Sequence, residues 1–242
     1  PICRRRRGCT DPYRGRYILD DADTLTPYRG ITPKSLVDSG FTAETLDFFE
    51  VGVDAENLRI TYPIRNIYGE LVGISGRAIG DAVPRYKIYK QELTRQRPEL
   101  RVPEDYSIED VKKATMWNFH TVYAALISSP APEPLVITEG FKACMWTWQS
   151  GYKQAVALIG SYLSDRQAEL LARLAAPVLL FLDNNEAGTV GTDKAAFILH
   201  RYGVPFRIAR YPDEREQPDA LEPEELNHAL NHNLDYYTWR TT

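Results

Sequence analysis

The chain has 242 residues, of which 43% are hydrophobic and 26% are charged, and these values are typical of a soluble globular protein. Lysine and arginine number 29 and aspartate and glutamate number 33, so the net charge at pH 7 is −4. No apolar run approaches the ~20 residues of a membrane-spanning helix. Three cysteines are too few for a disulfide framework. We therefore expect a cytoplasmic protein without a membrane partner.

The charges are segregated along the chain. Residues 1–16 carry six arginines and one acidic residue, and residues 59–101 carry nine basic residues and four acidic ones. Residues 213–225 carry seven acidic residues and one arginine. Segregation of this kind bears on binding partners rather than on fold. A basic block and an acidic block in one chain are compatible with a polyanionic ligand together with metal ions.

The N-terminal half combines short helices with β-structure. Residues 1–26 have no hydrophobic period and predict an irregular basic lead. Two short helices are predicted between residues 32 and 49. Alternating apolar residues over 57–89 predict strands, which are separated by a turn at 66–69. The polar stretch 90–114 predicts a loop with a helix near its end.

Strands and helices alternate regularly after a proline-rich hinge at residues 130–134. The short runs of Val, Ile and Leu predict strands that are covered on both faces. Strand–helix alternation is typical of a doubly wound parallel sheet. The predicted strands are 135–138, 154–159, 178–182 and 205–210, and the predicted helices are 141–149, 164–174, 192–201 and 221–230.

Polar side chains follow the strands of this predicted sheet. Ligands of such sheets bind beyond the carboxyl ends of the strands, so we expect these side-chain oxygens to converge at one edge. Oxygen ligands suit a hard cation such as Mg²⁺ or Mn²⁺, and without a cation the carboxylates would raise one another's pKa. Each residue taken alone could instead be a helix cap or a turn residue. The residues are Glu139, Asp183, Asn185, Asp213 and Asp219.

Two blocks of sequence stand out: the upstream block comprises residues 62–65, 69–77 and 84–86, and the downstream block comprises residues 135–140 and 181–188. Together they resemble the catalytic core of DnaG-type primases. The downstream block is similar to the TOPRIM domain that primases share with topoisomerases and some nucleases, and the upstream block is similar to the polymerase core. Both blocks stand in the family's order, and the likeness covers about residues 27–230. Residues 141–148 are most similar to phage-encoded primases.

The resemblance implies an α/β fold. The expected architecture is a TOPRIM-like parallel sheet with helices on both faces, plus a smaller N-terminal α+β subdomain. The chain would consist of the basic irregular lead, a basic primase-core subdomain, the TOPRIM domain and an acidic C-terminal segment with a helix. The corresponding boundaries are 1–26, 27–129, 130–212 and 213–242.

The resemblance also implies roles for the acidic residues. Glu139 and Asp183 would be catalytic, and together with Asn185, Asp213 and Asp219 they would hold Mg²⁺ or Mn²⁺. Position 185 departs from the family, because it holds asparagine where an aspartate is usual. An amide oxygen can coordinate a cation but contributes no charge, so weaker metal binding is expected.

The implied substrates are nucleic acid and nucleotides. The implied enzyme is a primase-type DNA-directed RNA polymerase, a nucleotidyltransferase that synthesises short RNA primers from ribonucleoside triphosphates on single-stranded DNA. A replicative helicase is a further candidate partner, and the implied setting is a bacterial or phage-infected cell. The basic side chains expected to bind nucleotide or template are Arg65, Arg77, Arg85 and Lys87.

Two other functions remain open from the sequence. A TOPRIM nuclease would use the same carboxylates, although it needs no ribonucleotide site, and the basic block at 59–101 favours the primase. A catalytically weakened, primase-like nucleic-acid-binding module is suggested by Asn185 and by Gln217, which stands where an acid is expected. Cys3 and Cys9 could end an upstream zinc-binding module, and a flexible basic lead is the simpler interpretation.

Overall fold

The computed structural model describes most of the chain. The described residues are 18–19, 21–90, 111–113, 115–128, 133–160, 162–212 and 215–242. They form one antiparallel and one parallel four-stranded sheet with helices around them, so the predicted mixed α/β architecture is confirmed. Cys3, Cys9 and most of the polar stretch 90–114 lie outside the described residues, and residues 111–113 within that stretch are helical.

Short helices precede the antiparallel sheet. Their bounds are α1 Asp21–Leu25, a 3₁₀ turn Thr26–Tyr28, α2 Lys34–Val37 and α3 Ala43–Phe48. Thr42 caps α3, since its hydroxyl accepts a hydrogen bond of 3.2 Å from the backbone N–H of Thr45. Helix α1 lies in the segment predicted to be irregular. Leu25 and Tyr28 pack with Leu71 of the sheet, and this tertiary contact stabilises a turn too short to be recognised from hydrophobic period.

The antiparallel sheet has the order β1-β2-β3-β4, with strands β1 Gly52–Asp54, β2 Arg59–Arg65, β3 Leu71–Ala78 and β4 Tyr86–Ile88. A turn joins the central strands β2 and β3. The side-chain oxygen of Asn66 accepts hydrogen bonds from the backbone N–H groups of Tyr68 and Glu70, both at 3.0 Å. Gly69 adopts a φ of +82°, which glycine accepts without steric cost. The turn predicted at 66–69 is therefore confirmed.

The parallel sheet has the order β6-β5-β7-β8, with strands β5 Leu135–Thr138, β6 Ala155–Ala157, β7 Val178–Phe181 and β8 Phe206–Ile208. Thr138 of β5 lies opposite Ala157 of β6 and opposite Phe181 of β7. Because these strands end in register, the loops that follow them leave the same edge of the sheet. The predicted parallel sheet is confirmed.

Helices cover both faces of the parallel sheet. Their bounds are α4 Phe119–Ser128, α5 Phe141–Gln149, α6 Asp165–Leu174, α7 Glu186–Arg201, α8 Pro223–Asn231 and α9 Tyr236–Thr241. Ile137 of β5 packs with residues of α6 and α7, whereas its neighbour Val136 packs with residues of α8. Helices α4 and α9 are absent from the sequence-based prediction, and α7 begins six residues before its predicted start. None of the helices within the described ranges has the length and apolar character needed to cross a bilayer.

Trp117 joins the two sheets. Its backbone exchanges hydrogen bonds of 2.8 and 3.1 Å with Ala157 of the edge strand β6. Its indole N–H donates to the carbonyl oxygen of Pro63 in β2 at 2.7 Å. The ring stacks on Phe49 and meets Phe141 edge-on. One buried residue thus ties the antiparallel sheet to the edge of the parallel sheet and fixes their relative position.

We expect Trp117→Ala to lower the free energy of unfolding by about 3–5 kcal/mol, because it creates a cavity and leaves a buried carbonyl without its donor. Urea denaturation followed by circular dichroism measures this change. The matched control is Phe197→Ala, which removes an aromatic ring that is 67% exposed and should cost less than about 0.5 kcal/mol. Equal losses in the two variants would contradict the linking role of Trp117.

Candidate active site

A cleft of about 430 Å³ opens between the edge strand β4 and the carboxyl end of the parallel sheet. Charged side chains line it from both sides. The acidic ones follow strands of the parallel sheet, and the basic ones come from β4, from the helical segment at 111–113 and from the first turn of α5. The acidic residues are Glu139, Asp183 and Asp219, and the basic residues are Arg85, Lys87, Lys112 and Lys142.

Glu139 occupies the turn between β5 and α5. The strand ends at Thr138 and the helix begins at Phe141, with Gly140 as the extended N-cap residue. The turn is short enough to hold the carboxylate at the edge of the sheet. Burial raises the pKa of Glu139, since removal from water disfavours the ionised form. A cation close to this carboxylate would restore its negative charge.

Asp183 follows β7, the neighbour of β5 in the sheet. Its pKa is raised to about 7, first by burial and then by the charges of Glu139, Asp219 and Glu216. Glu139, Asp183 and Asp219 all line the same cleft, so their charges act on one another there. The structure therefore brings together the acidic residues that follow β5 and β7 with one from the segment after β8.

Asn185 serves as a helix cap. Its side-chain oxygen accepts a hydrogen bond of 2.9 Å from the backbone N–H of Gly188 in the first turn of α7. The turn is so tight that a Cβ atom on Gly188 would lie 1.8 Å from the carbonyl oxygen of Asp183. Asn185 and Gly188 thus hold the backbone of Asp183 in place, and the oxygen expected to bind metal is engaged by the helix instead.

Asp219 is paired with a lysine. The Nζ atom of Lys142 lies 2.9 Å from a carboxylate oxygen of Asp219. Asp219 belongs to a 3₁₀ turn, Pro218–Ala220, which the indole of Trp146 holds against α5 by donating to the carbonyl oxygen of Leu221 at 2.8 Å. The acidic segment after β8 is in this way attached to the helix that starts beside Glu139.

Basic side chains form the opposite wall of the cleft. Lys87 lies on the edge strand β4, Arg85 lies directly before that strand, and Lys112 comes from the helical segment at 111–113. Arg77 lies behind this wall, where β3 pairs with β4 and Arg77 is opposite Tyr86. Its guanidinium interacts with the Tyr86 hydroxyl, and its Nε atom is buried without a hydrogen-bond partner. Three of the four basic residues predicted from the sequence thus lie in or beside the cleft.

Arg65 lies apart from the cleft. Its guanidinium donates to Glu50 at 2.6 and 2.9 Å and to the carbonyl oxygen of Gly69 at 2.8 Å. The side chain is only 10% exposed, so these bonds are shielded from water. The structure does not bring Arg65 to the other predicted binding residues, because it closes the β2–β3 hairpin onto the end of α3. Asp213 lies outside the described residues.

Three further residues belong to the site but were missed in the sequence. Lys142 stands next to the Glu139–Gly140 turn, and Lys112 stands shortly before the buried Met116–Trp117 pair. Tyr211 donates a hydrogen bond of 2.9 Å to the carbonyl oxygen of Leu182, the residue before Asp183. Burial and the neighbouring carboxylates raise the pKa of its hydroxyl, which therefore stays protonated as a donor. The sequence offered one signal for Lys142, its place in the first turn of α5. A cation is unusual there, because the N-terminus of a helix carries partial positive charge.

The chain is similar in sequence to known proteins. A protein family described as Toprim-like matches residues 136–221, which include Glu139, Asp183 and Asp219. The DNA primase of Halalkalibacterium halodurans is 27% identical over 164 residues, which cover 68% of this chain and 24% of that protein. The DNA primase of Deinococcus radiodurans is 28% identical over 222 residues, which cover 89% of this chain and 35% of that protein. The chain thus spans about a quarter to a third of the length of these relatives.

Solved structures share the fold. A DnaG catalytic core superposes with a TM-score of 0.64 at 20% identity, covering 83% of this chain and 72% of that one. The RNA polymerase domain of Mycobacterium tuberculosis primase DnaG, in complex with double-stranded DNA, gives a TM-score of 0.68 at 17% identity and covers 90% and 79% of the two chains. The resemblance to the DnaG-type primase core with its TOPRIM domain is confirmed. The similarity to phage-encoded primases stays a prediction.

The residues matched by the Toprim-like family include oxygen donors that could hold a divalent metal ion. Glu139 and Asp183 suit such an ion, because they are oxygen donors whose charges are destabilised by burial and mutual repulsion. Asp219 is matched by Lys142 and Asn185 is used as a cap. Within the described part of the chain, no group of three or more His, Cys, Asp or Glu side chains is arranged to hold a metal ion.

We expect Gly188→Ala to destabilise the protein by about 1–3 kcal/mol or more, since the new methyl group would collide with the backbone of Asp183. The matched control is Gly160→Ala, because the nearest atom to its Cβ would be a lysine carbon at 3.9 Å. Thermal unfolding of both variants measures the difference. A Gly188→Ala variant as stable as Gly160→Ala would show that the turn can relax.

The raised pKa of Asp183 predicts a pH dependence of stability in metal-free buffer. The folded-state pKa of about 7 exceeds the unfolded value of about 3.9, so the folded state binds more protons between these values. The free energy of unfolding therefore falls as pH rises from about 4 to about 7, because the folded protein must give up a proton that it holds more tightly than the unfolded chain does. Asp183→Asn should gain about 1–2 kcal/mol of stability relative to wild type from pH 4 to pH 8, after allowance for solvent screening.

Urea denaturation in the presence of a chelator, at several pH values, measures this gain. Asp47→Asn, which alters an exposed aspartate of α3, should run parallel to wild type at every pH. An Asp183→Asn profile that also runs parallel to wild type would contradict the electrostatic coupling of Asp183 to Glu139 and Asp219.

Proposed function

We propose that this chain is the catalytic core of a DNA primase, which joins ribonucleotides into short RNA primers on a single-stranded DNA template. One observation carries the proposal. The half-buried carboxylates Glu139 and Asp183 line a single cleft together with the cationic side chains Arg85, Lys87 and Lys112. The relatives with similar sequences are DNA primases, which supports the same activity here.

The charge arrangement suits a nucleoside triphosphate. Its phosphates are polyanionic, and arginine and lysine bind phosphate oxygens by charge-assisted hydrogen bonds. Lys87 lies on the edge strand β4 and Arg85 directly before it, and Lys112 comes from a separate segment, so the three cations can contact several phosphates at once. Arg77 contacts Tyr86, which stands between Arg85 and Lys87 in the sequence, and so helps to position this side of the cleft. The cleft therefore has a phosphate-binding side and a carboxylate side.

The reaction proposed is attack of a primer 3′ hydroxyl on the α-phosphate of an incoming ribonucleotide, with pyrophosphate as the leaving group. A divalent ion, Mg²⁺ or Mn²⁺, bound by Glu139 and Asp183 supplies acidification of the hydroxyl and neutralisation of phosphate charge. Glu139 and Asp183 keep their negative charge in that state, because the cation offsets their burial and repulsion. Arg85, Lys87 and Lys112 hold the triphosphate in one orientation.

Single-stranded DNA is the proposed template. One solved neighbour is a DnaG primase catalytic domain bound to single-stranded DNA, with a TM-score of 0.66 at 19% identity, covering 86% of this chain and 74% of that one. Arg85 and Lys87, which belong to the upstream basic block, line the cleft and would attract the phosphates of a template. The phosphodiester backbone of a template would be attracted to the same side as the triphosphate.

A catalytically weakened, primase-like nucleic-acid-binding module is the second candidate function. It is favoured by the engagement of Asn185 as a helix cap and by the neutral Gln217 in the lining of the cleft. Both reduce the negative charge available to a metal ion. Such a module would bind single-stranded DNA but would not extend a primer.

We expect Asp183→Asn and Glu139→Gln each to lower primer synthesis at least about 100-fold, since each removes a negatively charged ligand from the proposed metal site. A template-directed assay with labelled ribonucleotides measures the rate. Asp47→Asn and Glu169→Gln are the matched controls, because they make the same chemical changes on exposed faces of helices α3 and α6.

Two results would overturn this assignment. Wild-type rates in Asp183→Asn or Glu139→Gln would exclude these residues from the chemistry. Wild-type protein that binds single-stranded DNA yet incorporates no ribonucleotide would support the weakened module instead. A parallel reaction with labelled DNA detects cleavage, and cleavage without incorporation would identify a nuclease.

A further inference from the structure

The ion pair between Lys142 and Asp219 lies at the centre of the carboxylate side of the cleft. Their charged atoms are 2.9 Å apart, and the two side chains are only 25% and 13% exposed. Asp219 and Lys142 line the same cleft as Glu139 and Asp183. The ammonium group of Lys142 is therefore a fixed cation within the acidic cluster rather than a solvated surface charge.

The position of Lys142 in its helix is unfavourable on its own. It is the second residue of α5, where the partial positive charge of the helix N-terminus repels a cation. A lysine at this place needs a compensating anion, and Asp219 supplies one. The 3₁₀ turn that carries Asp219 is held against α5 by the bond from the Trp146 indole to Leu221. The fold thus positions both members of the pair.

The neighbouring polar side chains Asn185 and Gln217 add no negative charge to this side of the cleft. Asn185 contributes its oxygen to the cap of α7, and Gln217 carries no charge. No cluster of three or more His, Cys, Asp or Glu residues suited to a metal is present in the described ranges. Among the ion pairs of the described residues, Lys142 pairs with Asp219, and none joins a lysine or arginine to Glu139 or Asp183.

We propose that Lys142 is a built-in cation that occupies the place of a second divalent ion beside Asp219, so that this cleft holds one divalent ion, at Glu139 and Asp183. Lys142 would neutralise Asp219 permanently and present its remaining N–H donors to an incoming phosphate. The inference deepens the proposed function and rests on it for the identity of the phosphate ligand. The number of bound ions can be tested without any nucleic acid.

The experiment is a titration with Mn²⁺ alone, followed by electron paramagnetic resonance of the unbound ion. Wild type should bind one Mn²⁺ per chain. Lys142→Gln should bind a second Mn²⁺, because Asp219 is then free to act as a ligand. Lys142→Gln combined with Asp219→Asn should return to one ion, and Lys142→Arg should also bind one, since it retains the cation.

Lys194→Gln is the matched control, because Lys194 lies over the ring of Tyr162 and has no part in the cleft. It should bind one Mn²⁺, as wild type does. Circular dichroism melting of each variant verifies that the fold persists. The proposal is overturned if wild type binds two ions or none, if Lys142→Gln binds only one, or if the double variant keeps the second ion.

The primer assay separates this proposal from the proposed function. Wild-type protein that binds one Mn²⁺ but makes no primer would remove the polymerase activity and leave the role of Lys142 intact. Wild-type protein that makes primers while binding two ions would overturn the role proposed for Lys142 and leave the polymerase activity intact.

Discussion

Electrostatic repulsion among partly buried carboxylates is the constraint on which the rest of the site depends. Glu139, Asp183 and Asp219 meet at one sheet edge, and burial together with mutual repulsion raises the pKa of Asp183 to about 7. Cations relieve this repulsion and allow the carboxylates to stay ionised. The fold provides one of them in Lys142, and a divalent ion at Glu139 and Asp183 would provide another.

The two sheets make this cluster useful by holding a cationic wall opposite to it. The parallel sheet ends its strands in register, which places the acidic loops at one edge. The antiparallel sheet contributes Lys87 from its edge strand and Arg85 from the residue directly before that strand. Trp117 bonds to both sheets at once, so the spacing between acidic and basic sides is set by a buried, well-packed residue. A cleft of this kind separates phosphate binding from carboxylate chemistry.

The structure explains why Asn185 and Arg65 do not have the roles that the resemblance implies. Asn185 retains a function as the cap of α7, and the cap holds the backbone of Asp183 through the close approach of Gly188. Arg65 is a basic residue of a primase-like motif, yet its guanidinium closes a hairpin through Glu50. Membership of a motif therefore does not place a side chain in the site. Residues outside the recognised motifs, Lys112 and Lys142, lie in the cleft instead.

The sequence alone determined the parallel sheet and the acidic residues at its edge, because strand runs and the residues that follow them are local features of the chain. It also indicated the primase likeness through two ordered motif blocks. The tertiary structure decided that Lys142 pairs with Asp219 and that Arg65 pairs with Glu50. It also decided that Lys112 lines the cleft. These pairings join distant segments, and packing around Trp117 and Trp146 sets them. Helices α1 and α9 were likewise found only in the structure, since tertiary contacts stabilise short helices that sequence periodicity does not reveal.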